Sequence, residues 1–221
     1  MDLILTPIEV RILGCLIEKE ATTPDVYPLT LNSLLMACNQ KSSREPVMEL
    51  TADDVIPALD NLIDKTLAST WTSSHNRTPK YQHKLHDRVS EKFDFSLPEL
   101  AVLGVLFLRG PQTIGEIRTR SARIHDFESL DAVADVLKDL EENSDGPYVT
   151  MLARQEGRKE PRYAHLFCGE PEEMAPPGAA LSRSTPGVSA RVESLELEVR
   201  ELRSTLELLE QRLDNFMKQF E

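Results

Sequence analysis

Two similar stretches of sequence follow one another in this chain, and this repetition limits the possible folds more than any other feature. The stretches open with Thr6-Pro7-Ile8-Glu9 and Ser96-Leu97-Pro98-Glu99. A hydroxyl N-cap with glutamate three residues later and proline in the first turn is a typical helix start. The apolar run after the second opening stops at Gly110, a typical helix end. Each repeat is therefore predicted to begin with a helix.

Two further helices are predicted in each repeat, because apolar residues recur there at helical spacing. The third helix carries the clearest apolar stripes, which are Val55, Leu59, Leu62 and Ile63 in the first repeat, and Leu130, Val133, Leu137 and Leu140 in the second. Pro57 lacks the N–H group that a helix interior requires. We therefore expect Asp53 or Asp54, rather than Thr51, to be the N-cap of that helix.

Each repeat then ends in a predicted β-hairpin, over residues 67–85 and 148–167. The return strands share one pattern of base, any residue, proline, base and tyrosine, in Arg77-Thr78-Pro79-Lys80-Tyr81 and Lys159-Glu160-Pro161-Arg162-Tyr163. Three helices followed by a hairpin is the order of the winged-helix fold, whose hairpin is the wing. The predicted fold class is mainly α with small β-hairpins (α+β), as two tandem winged-helix domains plus a C-terminal coiled-coil helix.

The predicted domains cover residues 1–90 and 91–168, and two further segments follow them. Residues 169–190 are rich in Pro, Gly, Ser and Glu, which predicts a flexible linker. Residues 191–221 carry a coiled-coil seam with 3-4 spacing, formed by Val192, Leu195, Val199, Leu202, Leu206, Leu209, Leu213 and Phe216. The valine and leucine pattern favours a parallel homodimer. The alternative is that this helix folds back onto its own winged-helix domains.

No sequence motif for catalysis is found. Phosphate-binding glycine loops, HExxH, nucleophile elbows and CxxC pairs are missing from the sequence. The five histidines fit ordinary surface positions, and the three cysteines, among apolar residues, fit buried thiols. We therefore expect no enzyme activity, catalytic residues, cofactor or metal. With no leader peptide and no membrane-spanning run, a cytoplasmic protein without membrane contact is expected.

Three motifs in the first repeat resemble a known family. They are LTPIEVRILG at residues 5–14, YPLTLN at residues 27–32 and, most specifically, ACNQKSSREPVM at residues 37–48. On these residues the chain resembles the YceH family of uncharacterised bacterial proteins, with a match that covers residues 1–168. The resemblance implies a tandem winged-helix fold, and it implies no established biochemical activity.

The charge of the chain conflicts with the DNA binding that a winged helix suggests. The net charge is −12, and the third helix of each repeat carries many carboxylates. Phosphate would repel these helices, so DNA contact would depend on local basic patches. The candidate nucleic-acid-binding residues lie in the loop before the third helix and on the wings, and they are Lys41, Arg44, Arg77, Lys80, Arg158, Lys159 and Arg162.

Two functions therefore remain open. The first is a dimeric, DNA-associated transcription regulator that touches the DNA backbone through its wings. The second is a protein-protein interaction adaptor whose acidic winged-helix faces bind a protein partner and not DNA. The fold favours the regulator, which we place first, whereas the charge favours the adaptor.

Overall fold

The chain is a mixed α+β protein with helices and small antiparallel sheets in its described part. The computed structural model describes residues 3–73, 76–86, 93–153 and 160–171. Residues 1–174 belong to one compact unit. The predicted domain boundary at residues 90 and 91, most of the predicted linker and the predicted coiled coil all lie outside the described residues.

The order of three helices followed by a hairpin, predicted from the sequence, is found in both repeats. The first contains α1 (Pro7–Thr22), a 3-10 turn (Pro24–Val26), β1 (Leu29–Thr30), α2 (Leu31–Cys38), α3 (Ala52–Asp64), β2 (Ala68–Ser73) and β3 (Asn76–His83). The second contains α4 (Leu97–Arg109), α5 (Ile114–Ser121), α6 (Leu130–Glu141), β4 (Val149–Met151) and β5 (Tyr163–His165).

The predicted starts of the first helix in each repeat are confirmed. Glu9 donates its backbone N–H to the Thr6 hydroxyl at 3.2 Å and accepts from the Thr6 N–H at 2.6 Å. Ser96 donates its N–H to the Glu99 carboxylate at 2.8 Å. α4 ends before Gly110, whose φ of 67° lies in the region that favours glycine.

The start of α3 differs from the prediction. Its N-cap is Thr51, which donates its N–H and its hydroxyl to the Asp54 carboxylate at 2.8 and 2.7 Å. Pro57 consequently lies inside the helix. These bonds stabilise the first turn and offset the single backbone bond that the proline removes.

The two hairpins occupy equivalent places in the two repeats. β3 pairs with both β1 and β2, and Tyr81 faces Leu29 across the ladder. β5 pairs with β4, and Tyr163 forms an isolated bridge with Gln112, just before α5. The tyrosines of the shared sequence pattern therefore both pair with the residue that precedes the N-cap of the second α-helix of their repeat, α2 or α5.

The two repeats share one hydrophobic core, because α1 packs closely against α4. Gly14 and Gly104 each lie eight residues after the N-cap of their helix. A methyl group on Gly14 would lie 2.9 Å from a Leu108 side-chain carbon, and one on Gly104 would lie 3.1 Å from Ile17. The Leu5 N–H also donates to the carbonyl of Phe167 at 2.7 Å. The repeats are thus one folded unit, not two separate cores.

Candidate functional site

Arg44, predicted to contact nucleic acid, is buried. Its side chain is 0% exposed, and its Nη2 lies 2.7 Å from the Glu18 carboxylate. Its Nε donates to the Ala37 carbonyl at 3.0 Å and its Nη1 to the Ser43 carbonyl at 2.9 Å. Burial opposes the charge of Arg44, but the bond to Glu18 outweighs it and raises the pKa of Arg44. This placement corrects the prediction, because the guanidinium is not available to a phosphate.

The other predicted basic residues that the structure describes lie on separate elements. Lys41 is exposed in the loop before α3. Lys80 lies on β3 with its Nζ 5.9 Å from the centre of the Trp71 ring, a cation-π geometry. Arg162 donates to the Pro111 carbonyl and so holds β5 to the turn after α4. The side chain of Arg77, together with Arg158 and Lys159, lies outside the described residues.

A buried polar network on α1 was missed by the sequence analysis. Glu9, Arg11 and Glu18 are 1%, 1% and 5% exposed. Arg11 donates to the carbonyls of Cys38 at 3.1 Å and Pro46 at 2.6 Å, and burial lowers its pKa. The sequence carries one sign of this burial. Glu9, Arg11 and Glu18 fall within the otherwise mostly apolar stretch of α1 that is buried.

The expectation of ordinary surface histidines is corrected at His83. This residue is 7% exposed, and its Nε2 lies 2.8 Å from the Glu20 carboxylate. Burial raises the pKa of Glu20, but the hydrogen bond with His83 lowers it, and the net pKa is below its ordinary value. The His83 N–H donates to the Tyr27 hydroxyl at 3.0 Å. His83 therefore joins the hairpin to α1.

A cavity of about 300 Å³ opens near the end of β5, lined by residues that include His165, Cys168 and Glu170. Burial lowers the pKa of His165 to about 4. Cys168 is exposed, unlike the expected buried thiol, yet partial burial and the Glu9 carboxylate raise its pKa to about 11. Near pH 7 His165 is therefore not an imidazolium, and Cys168 is not the thiolate that nucleophilic catalysis requires.

Metal chemistry and membrane insertion find no support in the part of the chain that the structure describes. Within the described ranges, no group of three or more His, Cys, Asp or Glu side chains is placed to hold a metal ion. Likewise, none of the helices in those ranges has the length and apolar character that crossing a bilayer requires.

The third helices expose acidic faces, as the sequence predicts. On α3, Asp53, Asp60 and Asp64 are exposed, and Ile56 is 41% exposed between the first two. Residues three and four apart are neighbours on a helix surface, so Ile56 lies directly beside Asp53 and Asp60. On α6, Leu130 is 49% exposed, and the exposed carboxylates of this helix are Asp131, Asp135, Asp139 and Glu141.

Comparison with known proteins places the chain among relatives of unknown function. The model of the family described as "Protein of unknown function, DUF480" matches residues 5–158. The chain is 50% identical to the UPF0502 protein GSU0233 of Geobacter sulfurreducens over 100% of both chains. It is 46% identical to a UPF0502 protein of Serratia proteamaculans, over 92% of this chain and 94% of the relative.

The resemblance to YceH is also confirmed. The UPF0502 protein YceH of Salmonella paratyphi C is 42% identical over 93% of this chain and 95% of the relative. These matches extend through the repeats and, for the Geobacter relative, through the whole chain. The chain therefore belongs to the DUF480, or UPF0502, family.

Proposed function

We propose that the protein is a non-enzymatic tandem winged-helix adaptor that binds a basic segment of a protein partner through the exposed faces of α3 and α6. The exposed face of α3 carries this proposal. Ile56 presents an apolar side chain between the carboxylates of Asp53 and Asp60. A partner with lysine or arginine beside an apolar residue complements this arrangement in both charge and apolar surface.

The buried position of Arg44 moves the balance away from the DNA regulator that the fold analogy favours. In a winged helix, the third helix is the element that enters the major groove. Here that helix exposes four aspartates and no lysine or arginine, since Lys65, which follows it, bonds to Glu9 at 2.6 Å. Phosphate would repel such a surface, whereas a basic peptide would be attracted to it.

A DNA-associated regulator is the second candidate, and the first hairpin favours it. Trp71 is 42% exposed on β2, and Lys80 lies over its ring. An exposed aromatic ring with a lysine on a wing offers both a stacking surface and a phosphate contact. In this alternative, the wing would carry the contacts that α3 cannot make.

The adaptor is tested by fluorescence anisotropy on the full chain, with a labelled short peptide of alternating lysine and leucine and a labelled short duplex of random sequence. We expect Asp53→Asn/Asp60→Asn/Asp64→Asn to weaken peptide binding about tenfold, because three exposed charge pairs are lost. The matched control, Asp25→Asn/Asp126→Asn/Asp145→Asn, removes the same charge from exposed positions elsewhere and should retain affinity.

Ile56→Asp separates a formed docking face from general attraction between opposite charges. It adds a carboxylate, so attraction alone predicts tighter peptide binding, whereas the proposed face predicts weaker binding. Equal peptide affinity for the α3 triple variant and its control would contradict the adaptor. Duplex binding that weakens with rising salt and with Lys80→Glu, in place of peptide binding, would establish the DNA alternative.

We also propose that the coiled-coil helix pairs two copies of the chain. The seam between Val192 and Phe216 supports this, since each buried seam leucine contributes about 1.5 to 3 kcal/mol. Sedimentation of the full chain should give the mass of two chains, and Leu202→Glu/Leu209→Glu should give that of one. The control Arg203→Lys keeps the seam and should remain a dimer. The same mass for the seam variant and the unaltered chain would contradict pairing through this seam.

A further inference from the structure

Five basic side chains of the two repeats gather around the buried carboxylate of Glu18. From the first repeat, Arg44 lies 2.7 Å and Lys19 lies 3.9 Å from this carboxylate. From the second repeat, Arg123 lies 3.0 Å from it, at the turn after α5. Arg109, the last residue of α4, and Arg120 of α5 complete the group, because Arg109 lies near enough to Arg120, Glu18 and Arg123 for their charges to act on its guanidinium. The backbone also joins the repeats here, because the Glu45 N–H donates to the Leu108 carbonyl at 2.8 Å.

The carboxylates in contact with this group do not balance its charge. Glu18 is shared by three of the cations, and Glu116 pairs with Arg120 at 3.3 Å. Among the residues that the structure describes, two carboxylates therefore contact this group of five cations, in a chain whose net charge is −12. A local excess of positive charge in a strongly acidic protein would attract an anion to this place.

Arg109 is the member without a partner. It is half-buried, and its side chain makes no hydrogen bond or ion pair with any residue that the structure describes, although its backbone carbonyl accepts from the Gln112 side chain at 3.0 Å. Burial lowers the pKa of Arg109, and the charges of Arg120, Arg123 and Arg44 lower it further, while Glu18 opposes them. A guanidinium carries five N–H donors, and no described side chain occupies those of Arg109, so they are free to bind an anion.

We propose that Lys19, Arg109, Arg120 and Arg123, here called the arginine cluster, bind the phosphate group of an anionic ligand at the junction of the two repeats. Guanidinium groups match phosphate oxygens through paired N–H donors, and several converge here from different helices. Arg44 is not counted as a ligand residue, because its donors are occupied by Glu18 and by carbonyl groups. Its role is to hold Glu18 in place. This inference is independent of the adaptor proposal, which concerns α3 and α6.

The experiment is titration calorimetry on the full chain at low ionic strength, with inorganic pyrophosphate as one probe and a short random duplex as the other. We expect Arg109→Gln to weaken phosphate binding about tenfold or more, as for loss of one charge-assisted pair. Arg109→Lys should lose less, because it keeps the charge and loses only the paired donors. Lys138→Gln, the matched control, removes one exposed positive charge on α6 and should bind as the unaltered chain does.

Thermal unfolding separates a ligand site from a structural role. Arg109→Gln should leave the free protein at least as stable, because it relieves repulsion among arginines, and pyrophosphate should raise the melting temperature only in the unaltered chain and the control. Pyrophosphate binding that depends on Arg109 identifies a free phosphate compound, and binding of the duplex alone, with the same dependence, identifies a nucleic-acid phosphate. Lack of binding to both probes, or equal affinity after Arg109→Gln, would overturn the proposal.

Discussion

α1 and α4 begin each repeat and pack against one another, yet they bury different chemistry at matching positions. Five residues after the N-cap, α1 buries Arg11 where α4 buries Ala101. Twelve residues after the N-cap, α1 buries Glu18 where α4 buries Leu108. The two helices therefore have equivalent backbone positions, whereas α1 alone buries charged side chains at these two positions.

The buried charged side chains of α1 hold the loop between α2 and α3 in place. Arg11 binds the carbonyls of Cys38, the last residue of α2, and of Pro46 in the loop between α2 and α3, and Glu18 holds Arg44 of the same loop. The residues that α4 itself buries carry no polar side chain. Apolar packing stabilises without fixing direction, whereas hydrogen bonds to specific carbonyls select one loop conformation.

The largest expected effect comes from breaking the polar network. Arg44→Met should lower the free energy of unfolding by about 3 to 5 kcal/mol, because it leaves the Glu18 carboxylate buried with a lost partner. Urea denaturation measures this change. Lys41→Met, three residues earlier and exposed, is the control and should change stability by no more than about 0.5 kcal/mol. Similar stability for both variants would mean that the network does not hold the loop.

A second prediction concerns His165, a half-buried histidine of the second repeat. Its Nδ1 is shielded from solvent and has no hydrogen-bond partner in the described part of the chain, and burial lowers its pKa from 6.5 to about 4. Between these values the unfolded chain binds more protons than the folded one, so stability is fully present above pH 6.5 and falls as pH falls towards 4. The loss should amount to about 2 to 3 kcal/mol.

His165→Phe is the variant that removes this titration. His165 packs edge-on against Phe107 with ring centres 5.1 Å apart, so phenylalanine preserves the aromatic contact. Unfolding free energies measured from pH 7 to pH 4 should fall less steeply in the variant than in the unaltered chain. Parallel curves would show that His165 accepts a proton in the folded protein as readily as in the unfolded one.

The smallest effect is expected where the two helices touch. Gly14→Ala should destabilise by about 1 to 3 kcal/mol, because the added methyl group would meet Leu108 and Phe107 at 2.9 and 3.0 Å. Gly115→Ala, with no atom within 4 Å of the added carbon, should be neutral or stabilising by up to about 1 kcal/mol. Equal melting temperatures for the two variants would mean that α1 and α4 do not depend on this close approach.

Local signals in the sequence were sufficient for most of the fold. The capping motifs at Thr6 and Ser96 and the apolar stripe of α6 each involve residues within a few positions of one another, so their interactions are readable along the chain. Leu130 of the predicted α6 stripe is one exception, since it is 49% exposed. Thr51 is another, because its capping bonds outweigh the cost of Pro57. Both signals were local, but only the folded helix showed which was stronger.

The candidate sites depended on contacts between residues far apart in the chain. Arginine is a residue type that often contacts phosphate at a surface. Arg44 is buried instead because α1 places the Glu18 carboxylate against its guanidinium. The arginine cluster likewise requires Arg109 and Arg123 of the second repeat to reach Glu18 of the first. Neither juxtaposition leaves a signal in spacing or hydrophobic period.

The sequence by itself determined the repeated order of three helices and a hairpin, the acidic third helices and the family, because each rests on local pattern or direct similarity. Tertiary structure decided that residues 1–174 form one unit, that Gly14 and Gly104 bring α1 against α4, and that charged residues meet around Glu18. The physical reason is that hydrogen bonds within a helix connect near neighbours, whereas burial and electrostatic balance depend on every segment that folding brings together.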